Sequence, residues 1–136
     1  MRGGNERGLF ESTQIAWTNA MSDATTPVAA LKDEIRRFAA ERNWDPYHDP
    51  KNLTMALASE VGELCEVFRW LTPAESAAAP DDPKLREAIA DELADVANIV
   101  LLLSEHTGID LSEAILAKMA KNRVKYPAPV KPAGTG

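Results

Sequence analysis

Apolar residues recur at intervals of three and four in four separate stretches of the chain, the spacing that places them on one face of an α-helix. We predict helices over about 28–42, 53–71, 83–106 and 110–126. No stretch shows the alternating pattern of a half-buried strand bounded by turns. The pattern therefore predicts an all-α, four-helix-bundle-type domain.

Polar residues mark where these helices begin and end. Asp82 stands directly before a proline, a typical N-cap arrangement, and Gly108 is a typical C-terminal stop. Asp110 lies three residues before Glu113, which is the spacing of a capping box. The segment 72–75, TPAE, has the same spacing and favours a single helical turn inside the loop that joins the second and third helices.

The domain is expected to span residues 27–127. Residues 1–26 lack sustained periodicity and contain Met21 as a second start position, so we expect a flexible leader. Residues 128–136 belong to a proline- and glycine-rich stretch, YPAPVKPAGTG, which predicts a flexible tail. Inside the domain, NWDPYHDPKN at 43–52 contains two prolines and predicts a turn between the first and second helices.

The second and third predicted helices repeat each other at an offset of 32 residues. Their apolar stripes correspond position by position: Leu53, Leu57, Val61, Leu64, Phe68 and Leu71 match Leu85, Ile89, Leu93, Val96, Val100 and Leu103. Glu60 corresponds to Glu92, and Glu63 corresponds to Asp95. At about 100° per residue, the four acids lie on the same flank of their stripes.

Two helices that pack through equivalent stripes bring equivalent flanks together, so we expect these four carboxylates to converge beside the core. Carboxylates gathered in this way repel one another unless a cation neutralises them. Ligands that are all oxygen favour a hard cation, which predicts Mg²⁺, with Mn²⁺ as a substitute. A single E-x-x-E on a helix is usually a solvated face, whereas two such pairs in the same phase favour a metal site.

Composition and charge reduce the number of functions that the chain is expected to have. The formal net charge of −6 speaks against binding to nucleic acid through a basic surface. The single cysteine, Cys65, is typical of a reducing compartment. The chain lacks the apolar segment of a signal peptide and any run near the roughly 20 apolar residues of a membrane span. We expect a soluble cytoplasmic protein that binds neither nucleic acid nor membrane.

The fourth predicted helix becomes basic and polar toward its end, in the sequence AKMAKNRVKYP. Lys118, Asn122 and Lys125 share nearly one face, and Arg123 and Tyr126 belong to the same stretch. One interpretation is that the cations complement the negative end of the helix dipole. Beside a metal cluster, a clamp for a triphosphate becomes the better interpretation, because phosphate oxygens need both cations and hydrogen-bond donors.

Two tryptophans, Trp44 and Trp70, stand near the two ends of the second predicted helix. Tryptophan at such an edge is most often core or interface filler. Stacking on a nucleobase is the functional alternative.

With these residues placed, the chain resembles the all-α nucleoside triphosphate pyrophosphatases of the MazG-like superfamily, and within it the single-domain dCTP pyrophosphatases. FAAERNW, EVGEL followed by FRW, DELADV and KMAKNRVKYP carry the likeness, which covers about residues 28–127. The resemblance implies Mg²⁺-dependent hydrolysis of dCTP or a related or modified pyrimidine nucleotide to the monophosphate and pyrophosphate. It also implies house-cleaning of the nucleotide pool, and a homodimer or homotetramer in which chains share the site.

The resemblance implies roles for individual residues as well. Metal ligands are implied at Glu60, Glu63, Glu92 and Asp95, phosphate and sugar contacts at Lys118, Asn122, Arg123 and Tyr126, and base contacts at Trp44 and Trp70. Lys125 is a further candidate for substrate binding. For catalysis we expect Glu63 to accept the proton of the attacking water, and Lys118 and Arg123 to steady the leaving pyrophosphate.

Other functions remain open from the sequence. A dUTP hydrolase or a phosphoribosyl-ATP hydrolase of the same superfamily is an alternative that a panel of substrates separates. A di-iron carboxylate bundle typically needs Glu-x-x-His pairs, and neither histidine follows a glutamate at that spacing. A non-catalytic helical assembly module, with the acids as surface charges, should show no saturable stabilisation by Mg²⁺.

Overall fold

The computed structural model describes residues 21–129, and the fold over this range is all-α, as the sequence predicts. No strand occurs within residues 21–129. The helices are α1 (Val28–Glu41), α2 (Pro50–Phe68), α3 (Pro73–Ala78), α4 (Pro83–Thr107) and α5 (Leu111–Lys125), with short 3₁₀ turns at Asp45–Tyr47 and Ala79–Asp81. The first, second, third and fourth predicted helices correspond to α1, α2, α4 and α5.

The predicted leader and tail fall largely outside the described residues, at 1–20 and 130–136. The described part of the leader contains a turn in which the backbone N–H groups of Thr25 and Thr26 both donate to the carbonyl of Ser22, at 2.9 Å each. The domain limits of 27–127 therefore stay a prediction.

Helix α2 begins at Pro50, earlier than the predicted start near residue 53. The cause is an N-cap within the stretch 43–52: the Asp49 side chain accepts a hydrogen bond from the backbone N–H of Asn52 at 2.9 Å. Pro50 occupies the first helical position, where proline is well tolerated. One of the two prolines taken as turn signals thus starts a helix. At the other end, α2 stops at Phe68, short of the predicted residue 71.

A complete capping box starts the next helix, α3, directly afterwards. The Glu75 N–H donates to Thr72 Oγ1 at 3.3 Å, and the Thr72 N–H donates to Glu75 Oε2 at 2.8 Å. The predicted single turn is therefore a helix of six residues. The similar spacing at Asp110 forms only half a box, in which Asp110 Oδ1 accepts from the Glu113 N–H at 2.9 Å.

The caps of α4 agree with the prediction. The Asp82 side chain accepts from the backbone N–H groups of Lys84 and Leu85 at 2.8 and 3.0 Å. Gly108 ends the helix in the left-handed region, with φ of 66°. The buried Ser104 hydroxyl donates to the Ile109 carbonyl at 2.9 Å and fixes the exit of the chain from this helix.

Helices α2 and α4 form the main packed pair, and α1 packs on α4. The buried apolar set within residues 21–129 is small: Ala39, Leu53, Ala79 and Leu101. On the surface, Glu105 of α4 binds Lys32 and Arg36 of α1 at 3.4 and 3.2 Å. Exposed ion pairs of this kind contribute about 0.2–1 kcal/mol each, so they align α1 more than they stabilise the fold.

Helix α5 carries large apolar side chains that the single chain leaves in solvent. Leu116 is 70% exposed and Val124 is 84% exposed. The seam between α2 and α4 also has open positions, because Val61 and its counterpart Leu93 are 42% and 52% exposed. One chain thus packs three of the four predicted long helices together and leaves the fourth without an extensive partner within residues 21–129.

The N-cap of α2 gives a test of the corrected helix start. Replacing Asp49 by alanine removes the acceptor for the Asn52 N–H and should lower the free energy of unfolding by about 1 kcal/mol. Asp49→Asn keeps an acceptor at the cap and should restore most of the loss. Urea denaturation followed by circular dichroism measures both.

The matched control is Lys51→Ala, an exposed side chain in the same first turn that makes no cap contact. It should leave stability within about 0.5 kcal/mol of the parent. If Asp49→Asn were as destabilising as Asp49→Ala, the side-chain cap would not be the reason for the early start.

Candidate functional site

The α2–α4 seam brings together acids from both helices. Glu60 and Glu63 stand one turn apart on α2, and Glu92 faces them from α4. One carboxylate oxygen from each of these three residues lies within 4.8 Å of the others. Such a separation suits carboxylates that share one cation, because each oxygen can reach a common point at a coordination distance of about 2.0–2.6 Å.

Glu92 shows most clearly that this cluster carries excess negative charge. Its Oε2 atom is buried and has no hydrogen-bond partner among the described residues. Burial raises the pKa of Glu92 above its ordinary value, and the neighbouring charges of Glu63, Asp95, Glu60 and Asp91 raise it further. A cation at the cluster would pair with the free oxygen and remove the repulsion. The donor set, all carboxylate oxygen, therefore fits a hard divalent cation.

Asp95 lies beside this group without being part of the closest three. It follows Glu92 by one turn of α4 and acts on its charge through space. Asp95 also lines a cavity of about 730 Å³, together with Glu60. Glu60 and Asp95 therefore form the polar end of the cavity, which extends away from the cluster of three carboxylates.

Aromatic side chains form one wall of that cavity. Phe38, Trp44, Tyr47 and His48 all line it. The Trp44 ring meets Phe38 edge to face at a centroid distance of 5.7 Å and meets His48 in the same manner at 6.2 Å. These contacts hold the indole in place while 45% of Trp44 stays exposed, so an aromatic surface is available to a planar ligand.

A local backbone motif aims Trp44 at the cavity. The Trp44 N–H donates to the Ala39 carbonyl and the Asn43 N–H donates to the Ala40 carbonyl, both at 3.0 Å. This is the Schellman pattern at the end of α1, and it needs a left-handed residue at Asn43, whose φ is 54°. Asparagine tolerates that conformation better than most residues, so the sequence RNW turns the chain back on α1.

Sequence reasoning singles out Trp44 and misses most of its companions. Phe38 has the spacing of a core face, yet it is 46% exposed and lines the cavity. Tyr47, His48 and Asn98 are not among the predicted site residues. Two features of the sequence could have identified them. One is the group of polar and aromatic residues between the first two helices, and the other is the position of Asn98 one turn beyond Asp95.

The residues of α5 do not join this site within one chain. None of the five candidates on this helix lines the cavity: Lys118, Asn122, Arg123, Lys125 and Tyr126. Within residues 21–129, no ion pair links the basic side chains of α5 to the acids of the α2–α4 seam. Lys125 Nζ instead lies 5.1 Å from the ring centre of Tyr126. The cluster of acids is therefore without basic counterparts from the described residues of its own chain.

Trp70 also stands apart from the cavity. Its side chain is 80% exposed, and the Arg69 guanidinium lies 4.8 Å from the centre of its ring. A single chain thus brings only one of the two predicted base-stacking tryptophans to the cavity.

The described helices include none long and apolar enough to cross a membrane.

Comparison with known proteins places this geometry in a family. Residues 55–132 match the MazG-like family. The chain is 44% identical over 107 residues to dCTP pyrophosphatase 1 of Homo sapiens, and 43% identical over 106 residues to that of Rattus norvegicus. These alignments cover 76% and 75% of the chain, and the chain spans 62% of the length of each relative.

Solved structures include a similar fold. A pyrophosphatase from Archaeoglobus fulgidus superposes with a TM-score of 0.64 at 29% sequence identity. The match covers 94% of this chain and all of the other.

Removing the charge of Glu92 should change the stability of the folded chain in opposite directions without and with a bound metal ion. Glu92→Gln removes a charge that the folded chain disfavours, so the metal-free variant should unfold at a higher temperature than the parent at pH 7. Because the folded-state pKa of Glu92 is raised, this advantage should fade as the pH falls through that raised pKa toward the ordinary value of 4.5, and it should be absent well below 4.5, where Glu92 is neutral in both the folded and the unfolded parent.

With Mg²⁺ the order should reverse. The parent should gain stability in a saturable manner, by about 2.7 kcal/mol at a hundredfold excess over Kd, and Glu92→Gln should lose most of that gain. Thermal unfolding with chelator and across a Mg²⁺ titration measures both effects. Equal Mg²⁺ stabilisation of the two proteins would contradict a metal site at Glu92.

Proposed function

The chain belongs to the MazG-like family, and we propose that it is a divalent-metal-dependent nucleoside triphosphate pyrophosphohydrolase. The proposed substrate is dCTP or a related or modified pyrimidine nucleotide, converted to the monophosphate and pyrophosphate. One observation carries the proposal: the three converging carboxylates include a buried oxygen on Glu92 with no partner among the described residues, and Glu60 of this group borders an aromatic cavity. The likeness to dCTP pyrophosphatase 1 supports the choice of base.

In this proposal the metal binds at the acidic end of the cavity, and the ligands are Glu60, Glu63, Glu92 and Asp95. Mg²⁺ is the proposed ion, with Mn²⁺ as a substitute, because all four donors are carboxylate oxygens. When bound, the ion neutralises phosphate charge and lowers the pKa of a bound water.

Glu63 is the proposed general base. It is the exposed member of the three-acid group, whereas Glu60 and Glu92 are half-buried, so its carboxylate can also reach a water in solvent. The water oxygen attacks the α-phosphorus while Glu63 accepts a proton from it. The bond from the α-phosphorus to the bridging oxygen breaks, and that oxygen leaves with pyrophosphate.

We assign the nucleobase to the aromatic part of the cavity. A planar base can lie against the exposed indole of Trp44, with its triphosphate directed toward Glu60 and Asp95. The exposed position of Trp70 suits a base contact only if another chain brings it there.

Self-association supplies what the single chain lacks. We propose a homodimer or homotetramer in which α5 of one copy packs near the carboxylates of another. The exposed apolar side chains of α5 support this, since Ile115, Leu116 and Val124 are 52%, 70% and 84% exposed. Lys118 and Arg123 would then steady the β- and γ-phosphates as they leave, and Asn122, Lys125 and Tyr126 would bind the phosphates and sugar.

The biological role that fits such an enzyme is removal of unwanted nucleotides from the cytoplasmic pool. The domain at 27–127 would carry the activity. A helical assembly module without catalysis would also explain the exposed apolar surface, but it gives no reason for the unpartnered buried carboxylate of Glu92.

Glu63 gives a direct test of the chemistry. Glu63→Gln keeps the shape of the side chain but removes its charge and basicity, so pyrophosphate release from dCTP with Mg²⁺ should fall by at least about a hundredfold. Glu66→Gln is the matched control on the same helix, because the one ion pair of Glu66 within residues 21–129 is with Arg69, at 2.6 Å. It should retain near-parental activity. If Glu63→Gln kept more than a tenth of the activity with intact helical content, Glu63 would not be the base.

Subunit mixing tests whether two chains share the site. Glu63→Gln and Lys118→Ala should each be inactive alone, because one lacks the base and the other a phosphate contact. A mixed dimer has one site with both defects and one with neither. After subunit exchange in equal amounts, about a quarter of the parental activity should return, since half the dimers are mixed and half their sites are intact.

The control is a mixture of the two single variants Glu63→Gln and Glu60→Gln. Both change the acidic side of the site, so no mixed dimer has an intact site and activity should not return. Light scattering and a tagged copy establish that exchange has occurred. Absence of recovery despite exchange would place α5 and the carboxylates of each site on one chain.

A further inference from the structure

The cavity that receives the base in the proposed function contains two side-chain amides, Asn52 and Asn98. An amide is the side chain that offers a donor and an acceptor side by side, as the edge of a pyrimidine base does. Asn52 is engaged elsewhere, because its Nδ2 donates to the Tyr47 carbonyl at 3.2 Å. The Asn98 side chain makes no hydrogen bond within residues 21–129 and is exposed to the cavity it lines.

Other polar groups of the cavity are less suited to a base. Glu34 is paired with Arg37 at 2.9 Å. The unpartnered Nδ1 of His48 is buried, so it does not face the open space that a ligand would fill. The His48 ring lies between Trp44 and His106, with centroid distances of 6.2 Å to each.

The position of Asn98 along α4 fits a base contact. Asn98 follows Asp95 by three residues, so it lies on nearly the same face about 4.5 Å further along the helix axis. Beyond it the same cavity wall continues with the apolar side chains of Ile99 and Leu102. A nucleotide whose phosphates lie at Asp95 therefore meets Asn98 before it meets the apolar end of the cavity.

We propose that Asn98 binds the pyrimidine base by hydrogen bonding to its N3 and C4 edge, an inference that rests on the proposed function. For cytosine, Oδ1 accepts from the 4-amino group and Nδ2 donates to N3. For uracil, the flipped amide donates through Nδ2 to the 4-oxo group and accepts from N3–H through Oδ1. No hydrogen bond within residues 21–129 fixes the orientation of the amide, so the site accepts both bases.

The test compares three substrates with Mg²⁺: dCTP, dUTP and 1,2-dideoxyribose 5-triphosphate, which carries no base. The parent should hydrolyse dCTP and dUTP with kcat/KM values within about tenfold of each other, because a free amide rejects neither edge. Asn98→Leu removes both hydrogen bonds at similar size. It should lower kcat/KM for both nucleotides by about ten- to a hundredfold, mainly through KM, and leave the substrate without a base unchanged.

Glu87→Leu, on an exposed part of α4 away from the cavity, is the matched control and should leave all three substrates unchanged. An equal loss on all three substrates in Asn98→Leu would show a structural role and overturn the inference. No loss on dCTP and dUTP, or discrimination above about a hundredfold between them by the parent, would overturn it as well. If the parent released no pyrophosphate from any triphosphate, the proposed function itself would fail before Asn98 was tested, and this inference would fall with it.

Discussion

Repulsion among carboxylates at the α2–α4 seam is the constraint on which the rest of the structure depends. Three acids hold oxygens within 4.8 Å of one another, and one oxygen of Glu92 is buried without a partner among the described residues. Helix packing keeps them there, because Leu53 of α2 and Leu101 of α4 are buried in the core. The packed pair therefore holds a cluster that is unfavourable in the absence of a cation and favourable in its presence.

The exposed apolar surface of α5 is what supports the proposed self-association. The core of residues 21–129 buries only four apolar residues, while α5 exposes residues such as Leu116 and Val124. Those apolar residues share a helix with Lys118 and Arg123. An association that covers the apolar side chains also carries positive charge to a new neighbour. Burial of apolar surface and neutralisation of a phosphate-bearing acidic site would then arise from one contact.

Much of the fold could be predicted because helical periodicity and caps are local. The 32-residue repeat is enough to predict that Glu60, Glu63 and Glu92 meet, since phase on a helix follows from sequence spacing alone. The predicted start of α2 was wrong because proline signals both a turn and a first helical position, and the Asp49 cap decides between them. Most of the aromatic wall was missed because it joins Phe38 of α1 to residues of the turn between α1 and α2. In the proposed oligomer the placement of α5 would depend on a second chain, which no local pattern encodes.

In the proposed function, catalysis and base recognition take place at different ends of the cavity. Asp95 and Asn98 occupy successive turns of α4, so one helix positions both the acidic end of the cavity and the amide that is proposed to bind the base. A substitution at position 98 changes hydrogen bonding at the base without altering any carboxylate. The carboxylates of the cluster, by contrast, are coupled, because the charges of Glu63, Asp95, Glu60 and Asp91 all raise the pKa of Glu92. In the proposed function, base preference would therefore vary at the end of the cavity that carries Asn98 while the acidic end stayed constant, and one helical scaffold would serve different pyrimidine triphosphates.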